Sequence, residues 1–436
     1  MRTALLVVCM LVTAETGAAD PADQALAEAA RAAAAKLPAG GIVVAVSTKG
    51  IRQVWKFGQP HPNAALAPER IRFEIGSVSK LFNAVLLARA VRRGKARYDD
   101  PVKSWLPPRA IADGNVAAIT LLQLATHRSG LPRLPANLTV TSADDPYAAY
   151  DGQALFAAVA AERLAQPPPA AVSYSNYGAG LLGHLLAERR GLSWAALLAT
   201  DVIGPAKLDD TTALPHAALD VRLATPHVGA QAVPAWRFAA LAPAGAVRSS
   251  AADLLTFGEG LLGEDPDLAA DWAELVARTD AASGPGLFRD PDADPPAYWH
   301  NGATNGSRAY LRLCPAQRRV EVVLANQADV DPQAIISAAH QPPREPVIAP
   351  PPGWERELPG IYRHESGAEL TLIAEAGALR AQLTGQSFLT LVCTGPDAWR
   401  WQEVTARLVF ERGASRLPVA LVLHQNGQAL RFARRP

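Results

Sequence analysis

The stretch Phe73–Phe82, which reads FEIGSVSKLF, decides how the rest of the chain is interpreted. Apolar residues recur at helical spacing over 78–93, which predicts a helix that begins just after Ser77. Lys80 then lies three residues beyond Ser77 on the same helix face. A serine hydroxyl becomes nucleophilic when a nearby base takes its proton, and a lysine can be that base once burial or neighbouring cations lower its pKa.

The start of this helix adds a second favourable feature. Its first backbone N–H groups have no partner within the helix, and its positive end stabilises a developing oxyanion. Taken alone, however, a serine followed by a lysine three residues later is more often a helix N-cap with a solvent-facing lysine. The interpretation of Ser77 as a nucleophile therefore depends on further motifs.

Two such motifs follow along the chain. The first, Ser173–Gly178, reads SYSNYG and lies between prolines 167–169 and a helix, so we expect Tyr174 and Asn176 on a loop beside a cleft. The second, Trp299–Gly306, reads WHNGATNG and precedes a strand over 309–313. Its glycines would let a substrate backbone come close to the sheet edge.

In this order, the three motifs resemble those of class C β-lactamases, D-alanyl-D-alanine carboxypeptidases and related esterases. The resemblance covers about Ala25 to Ala339, and the stretches 99–102, 119–132 and 244–250 share it. It implies an α/β (α+β) domain of the β-lactamase and transpeptidase-like fold. In that fold an antiparallel sheet, built from both ends of the domain, is flanked by helices and carries an inserted helical region.

The resemblance also implies a role for the residues of the first two motifs. Ser77 would be the acylated nucleophile, with Lys80 and Tyr174 as the pair that transfers its proton. Asn176 would hydrogen-bond the substrate amide. The expected reaction is acylation of Ser77 by an amide or ester carbonyl, followed by hydrolysis with water activated by the same pair.

The third motif would border the substrate through His300, Gly302 and Ala303. The backbone N–H groups of Ser77 and Ala303 would form the oxyanion hole. His300 stands where dedicated class C β-lactamases have a lysine, so it would supply hydrogen bonding and, when protonated, positive charge. Asn301 replaces the threonine that usually follows.

Two further departures concern substrate choice. Leu134 falls where β-lactamases carry a glutamine that contacts the acyl side chain, and Gln327 falls near a lysine position. Each change removes a polar or cationic group from the surface that would recognise a β-lactam carboxylate. A His-x-Gly motif with an added C-terminal β-domain more closely resembles the penicillin-recognising D-peptidases and esterases.

Composition predicts four segments in the 436-residue chain. Residues 1–19 combine a basic start, a short apolar run and small residues, which is typical of a cleaved signal peptide rather than a membrane anchor. The hydrolase domain follows over 20–340. A proline-rich linker over 341–353 leads to a C-terminal β-domain over 354–436, expected to be a small barrel or sandwich.

The signal peptide implies a periplasmic or secreted enzyme without a membrane anchor once it is cleaved. Cys314 and Cys393 remain after cleavage of the segment that holds Cys9, and either a disulfide or two buried thiols is compatible with the sequence. A formal net charge of +1, without a long run of one sign, gives no indication of an electrostatic footprint for nucleic acid, and no nucleic-acid partner is expected.

No cofactor and no metal are expected, because the nine histidines lack ligand spacing. The expected partner is a small-molecule or peptide substrate: a β-lactam, a D-amino-acid peptide or an ester. Alternatives to the β-lactam or D-peptide hydrolase are a carboxylesterase of the same fold and a non-catalytic peptidoglycan-binding protein.

Overall fold

The computed structural model describes residues 20–436 except 108–109, 111–113, 141, 143, 165, 281–282, 291–292, 341–346, 385, 403–405, 416, 426–427 and 436. The expected signal peptide, residues 1–19, lies outside the described residues, and so does the first part of the expected linker. The chain folds as two compact units, Met1–His340 and Gln341–Pro436. Within the described residues, no helix combines the length and the apolar character needed to cross a membrane.

The helices of the first unit are α1 (Pro21–Ala34), α2 (Ser79–Arg92), α3 (Gly114–Ala118), α4 (Leu121–Ala125), α5 (Gly152–Ala161), α6 (Asn176–Arg190), α7 (Trp194–Leu198), α8 (Ala217–Asp220), α9 (Ala242–Gly245), α10 (Ala251–Glu259), α11 (Pro266–Val276) and α12 (Pro332–His340). Its strands are β1 (Gly41–Thr48), β2 (Ile51–Gly58), β3 (Arg72–Glu74), β4 (His227–Val228), β5 (Gln231–Ala232), β6 (Arg248–Ser250), β7 (Ser283–Gly284), β8 (Leu287–Arg289), β9 (Tyr298–Ala303), β10 (Arg308–Cys314) and β11 (Arg319–Ala325).

Seven of these strands form one antiparallel sheet in the order β2-β1-β11-β10-β9-β8-β7. Successive side chains of a strand point to opposite faces, so β1 contributes to two cores. Val43 and Ala45 belong to the large core on the α2 side, whereas Ile42 and Val44 pack in the core that includes residues of α1 and α12. Both faces of the sheet are therefore covered, and the fold class implied by the resemblance is confirmed.

The second unit is a closed antiparallel barrel of eight strands. After the short helix α13 (Trp354–Glu357), the strands are β12 (Gly360–Arg363), β13 (Glu369–Glu375), β14 (Ala378–Leu383), β15 (Leu389–Gly395), β16 (Ala398–Trp401), β17 (Ala406–Arg412), β18 (Pro418–Gln425) and β19 (Gln428–Arg434). Closure comes from β12, which pairs with both β13 and β19. Its core includes Trp354, Trp399 and Phe432.

Several local predictions need correction or completion. The first five residues of the third motif belong to strand β9, in which His300 and Gly302 take part in a continuous ladder with β10. Asn176 is the first residue of α6 and not a loop residue. The two cysteines described, Cys314 and Cys393, are both buried and free, so the sequence alternative of two buried thiols holds.

Candidate active site

Ser77 lies in a tight turn that precedes α2. Gly76–Val78 form one turn of 3₁₀ helix, and Gly76 adopts φ +49°, a conformation that favours glycine. The Ser79 hydroxyl fixes this turn, since it donates to the Gly76 carbonyl oxygen at 2.6 Å and accepts from the Val247 backbone N–H at 3.0 Å. The half-buried Ser77 side chain is thereby held at the edge of a cleft.

Lys80 is buried directly behind Ser77. Its Nζ lies 3.0 Å from Ser77 Oγ and 2.7 Å from the Ala244 carbonyl oxygen. Burial, with a smaller contribution from the charge of Arg133, lowers the pKa of Lys80 well below its usual value. No carboxylate pairs with this amine in the described part of the chain, so nothing compensates the cost of keeping it charged.

Tyr174 lies between Lys80 and a buried histidine. The Lys80 Nζ is 4.7 Å from the centre of the Tyr174 ring, and the ring centres of Tyr174 and His127 are 4.5 Å apart. Burial raises the pKa of Tyr174 to about 12, although its hydrogen bond with Ser77 acts in the opposite direction. Ser77, Lys80 and Tyr174 therefore form one connected group.

The loop that carries Tyr174 is fixed by Ser175. Its hydroxyl donates to the Pro132 carbonyl oxygen at 2.7 Å and caps α6 by accepting from the Gly178 N–H at 2.8 Å. The Ser175 N–H in turn donates to Nδ1 of His127 at 3.1 Å. Asn176 follows this cap, and its Oδ1 is buried without a hydrogen-bond partner among the described residues.

Strand β9 runs in close contact with the turn that carries Ser77. A Cβ atom on Gly302 would lie 1.9 Å from the Ile75 carbonyl oxygen and 2.9 Å from the Ser77 nitrogen. A Cβ atom on Gly76 would lie 2.6 Å from the Ala303 nitrogen. Only glycines permit this approach, which brings the backbone N–H groups of Ser77 and Ala303 to the same end of the cleft.

His300 precedes this contact and is fully buried in β9. Its Nδ1 lies 2.5 Å from the Asn301 carbonyl oxygen, and its Nε2 is buried without a partner in the described structure. Burial and the nearby Lys80 lower the pKa of His300 to about 3. The positive charge that this residue would carry when protonated is therefore not present at neutral pH.

The cleft beside these residues has a volume of about 710 Å³. Five residues of the predicted site line it: Ser77, Tyr174, Asn176, Gly302 and Ala303. Lys80 and His300 do not line it, because both are buried in the wall behind. The remaining lining includes residues that sequence reasoning missed, namely Arg133, Tyr147, Trp236, Phe238, Phe288 and Arg308.

Glu74 connects three parts of this wall. Its carboxylate accepts from the Trp236 backbone N–H at 2.7 Å and from the Thr304 hydroxyl at 2.9 Å. Thr304 directly follows Ala303, and Glu74 itself precedes Ser77 by three residues. Burial raises the pKa of Glu74 to about 7, against the opposing effect of its hydrogen bonds and of Arg248.

The two departures noted in the sequence lie away from the cleft lining. Leu134 is partly buried and packs against the large core. Gln327 is fully buried, and its Nε2 donates to the Gly229 carbonyl oxygen at 2.6 Å. Gln327 therefore has a structural role in joining β11 to a neighbouring loop.

Comparison with known proteins agrees with this geometry. The family model described as Beta-lactamase matches residues 26–340. Penicillin-binding protein 4 of Amycolatopsis lactamdurans is 30% identical over 334 residues, which cover 68% of this chain and 85% of that protein. The D-alanyl-D-alanine-carboxypeptidase/endopeptidase AmpH of Escherichia coli is 26% identical over 230 residues, 52% of this chain and 58% of that enzyme.

Among solved structures, a class C β-lactamase from Rhodobacter sphaeroides superposes with a TM-score of 0.61 at 25% identity. The superposition covers 73% of this chain and 97% of that structure. The match of the family model spans more than half of the chain and contains every residue of the cleft described above. The chain therefore belongs to the beta-lactamase family and is a serine hydrolase.

Proposed function

We propose that the chain hydrolyses amides of β-lactam or D-amino-acid peptide type through an acyl-enzyme on Ser77. The observation that carries this proposal is the 3.0 Å approach of the Lys80 amine to the Ser77 hydroxyl, deep in a wall without a carboxylate partner among the described residues. Burial destabilises the charged form of this amine and lowers its pKa well below the usual value, so the unprotonated form becomes easier to reach. It can therefore take the proton of Ser77 as the oxygen attacks.

The pKa values favour Lys80 over Tyr174 as the group that accepts the first proton. With a pKa of about 12, the Tyr174 phenol keeps its proton at neutral pH. The pKa of Lys80 is shifted in the opposite direction, because burial destabilises its charged form. Tyr174, hydrogen-bonded to Ser77, is then placed to relay a proton between Lys80 and the leaving group.

Atoms and protons balance over the two half-reactions. Ser77 Oγ bonds to the substrate carbonyl carbon while its proton passes to Lys80, and the oxyanion accepts from the N–H groups of Ser77 and Ala303. The C–N bond then breaks, and the leaving nitrogen takes the proton from Lys80 through Tyr174. In the second half, water adds to the ester carbonyl, gives a proton to the same pair and releases Ser77 with its hydrogen restored.

Asn176 favours a substrate that carries an amide N–H beside the scissile carbonyl, a group that a simple ester lacks. Its buried Oδ1 lacks a partner in the described structure, and a substrate N–H would satisfy it. The names of the relatives agree with such substrates, since one is a penicillin-binding protein and another a D-alanyl-D-alanine-carboxypeptidase/endopeptidase. Both substrate types present an acylated amine beside the scissile carbonyl.

The direct test is the intact mass of the purified protein and of its Ser77→Ala variant after exposure to benzylpenicillin and to an acyl-D-Ala-D-Ala peptide. We expect either a covalent adduct or substrate turnover with the wild type, and neither with Ser77→Ala. An adduct or turnover that is the same in both proteins would exclude Ser77 as the nucleophile. Absence of any reaction of the wild type, with these substrates and with carboxyl esters, would favour a non-catalytic peptidoglycan-binding role.

Carboxyl ester hydrolysis is the second candidate. Besides Tyr174, five aromatic side chains line the cleft and would accommodate an apolar acyl group: Tyr147, Trp236, Phe238, Phe288 and Trp299. Turnover of p-nitrophenyl esters by the wild type, without any reaction with penicillin or D-peptide, would select this alternative. For residues 1–19 we propose removal on export to the periplasm or medium, which fractionation and N-terminal sequencing of the expressed protein would test.

A further inference from the structure

On the sheet-side wall of the cleft, the described residues offer one cation, Arg308, and part of its donor capacity is already used. His300 is neutral, because its pKa is lowered to about 3, and Asn301 beside it is uncharged. Arg308 lines the cleft, but one of its guanidinium nitrogens already donates to the carbonyl oxygens of Thr304 and Ser307 at 2.9 Å each. Asp331 also lines the cleft and adds negative charge there.

A cation lies on the opposite wall, at Arg133. Its carbonyl oxygen accepts from the backbone N–H groups of Asn176 at 2.9 Å and Tyr177 at 3.2 Å, which fixes the residue to the second motif. Its guanidinium carbon lies 5.3 Å from the centre of the Tyr174 ring. The side chain is exposed, lines the cleft and forms no ion pair with any residue of the described chain.

The charge of Arg133 reaches the reacting groups. It contributes to lowering the pKa of Lys80 and opposes the rise in the pKa of Tyr174 and of Tyr147. A guanidinium has five N–H donors in a planar fork that matches a carboxylate. Unpaired among the described residues and close to the nucleophile, Arg133 is thus suited to bind an anionic group of the substrate.

The position of Arg133 beside Asn176 determines which part of the substrate would carry the anionic group. The buried Oδ1 of Asn176 lacks a donor in the described structure, so it would accept an amide N–H of the bound substrate. A carboxylate that reaches Arg133 must lie on the same side of the reacting carbonyl as that amide. The sheet-side wall is less suited to it, because His300 is neutral, Asp331 is acidic and Arg308 directs one guanidinium nitrogen to backbone carbonyl oxygens.

Resting on the function proposed above, we propose that Arg133 is the anion-binding residue of this cleft. The preferred substrates then carry a carboxylate on the acyl portion, beyond the amide that contacts Asn176. Arg133, which is fixed to the second motif, supplies the positive charge that binds the substrate anion. Strand β9 contributes the shape of the cleft and backbone hydrogen bonds.

The test uses two thiophenyl esters that differ in one group. N-succinylglycine thiophenyl ester carries the terminal carboxylate, and N-succinamoylglycine thiophenyl ester carries the neutral carboxamide in its place. Release of thiophenol gives kcat/KM for each. Because removal of Arg133 also alters the proton-transfer pair, the readout is the ratio of the two kcat/KM values, in which a common loss cancels.

We expect the wild type to prefer the carboxylate ester at low ionic strength, and Arg133→Gln to reduce the preference about 10- to 100-fold, the range of a charged hydrogen bond. Arg133→Lys, which keeps the charge, should restore part of the preference. The matched control is Arg128→Gln, whose native side chain pairs with Asp280 and does not line the cleft. A ratio that is unchanged in Arg133→Gln would overturn the anion site and leave the proposed hydrolysis intact.

A binding measurement separates the two proposals. The affinity of both esters is measured by calorimetry for Ser77→Ala and for Ser77→Ala combined with Arg133→Gln. A preference for the carboxylate that disappears with Arg133→Gln supports the anion site, whether or not the wild type reacts with the esters. If the wild type gives neither an adduct nor turnover, that result counts against the proposed function and leaves the anion site standing. Equal affinity of the two esters for Ser77→Ala would overturn the anion site.

Discussion

The Nδ1 atom of His300 lies 2.5 Å from the carbonyl oxygen of its neighbour Asn301. A ring nitrogen at this distance from a carbonyl oxygen must carry the proton, so Nε2 holds the lone pair and is an acceptor. A lysine at the same position could only donate. At this position of the third motif, this chain therefore has a hydrogen-bond acceptor, Nε2 of His300, where the class C motif that it resembles has a donor.

The first prediction concerns the charge of His300. With a pKa of about 3, His300 is neutral throughout the range from about pH 5 to 9. We expect His300→Gln to lower kcat/KM by the same factor at every pH in this range. The measurement is the ratio of the two pH profiles. A ratio that changes around the ordinary histidine pKa of about 6.5 would show that the imidazole is protonated there.

The second prediction concerns Lys80 as the base. Lys80→Arg places a permanent cation beside Ser77, because a guanidinium cannot lose its proton in this pH range. We expect kcat/KM to fall by about 10²- to 10⁴-fold, the usual contribution of a general base. In the wild type, the acid limb of the pH profile reports the ionisation of Lys80. This limb should be absent from the profile of Lys80→Arg. Residual activity that retains this limb would assign the base to another group.

The third prediction concerns the contact between β9 and the turn that carries Ser77. A Cβ atom on Gly302 would meet the Ile75 carbonyl oxygen at 1.9 Å, so Gly302→Ala must displace one of the two backbones. Loss of one oxyanion donor lowers kcat by about 10²- to 10³-fold. We expect a decrease of this size with little change in KM. Gly114→Ala is the control, because its Cβ would meet no atom within 4 Å.

The fourth prediction concerns Glu74 and stability. Its pKa is raised from 4.5 to about 7 in the folded protein, so between these values the folded state binds the proton that the unfolded state has lost. The favourable contribution of the protonated form is complete below about pH 4.5 and is lost as the pH rises through 7. The resulting loss of unfolding free energy is about 3 kcal/mol.

Glu74→Gln cannot ionise and should remove this dependence. From pH 5 to 8 the wild type should lose up to about 3 kcal/mol of unfolding free energy that the variant keeps. The stability of the variant relative to the wild type should therefore rise by this amount. Urea denaturation at several pH values measures it. A constant difference across this range would mean that Glu74 has an ordinary pKa.

The sequence predicted those parts of the site that local spacing determines. Ser77 and Lys80 lie three residues apart at the start of a helix, so their proximity follows from helical geometry alone. The family and fold predicted from the three motifs are confirmed by the family match and by the sheet topology. The two units can also be read from the proline-rich composition between them.

Other parts depend on contacts that no local pattern reveals. Trp236 reaches the cleft because its backbone N–H bonds to Glu74, 162 residues earlier in the chain. Strand β9 contains Asn301 and Gly302, residue types that are rare in strands, and its place in the sheet comes from pairing with β10. The neutral state of His300 results from complete burial, which only tertiary packing provides.

The place of β1 in the sheet has a consequence for synthesis of the protein. Strand β1 pairs with β11, which lies far downstream in the chain. The hydrogen bond from the Gly41 N–H to Asn326, for example, joins residues that are 285 positions apart. At translation rates of about 5 to 20 residues per second, the hairpin of β1 and β2 waits about 15 to 55 seconds for its partner. During this interval an apolar strand edge is open to chaperones and to other nascent chains.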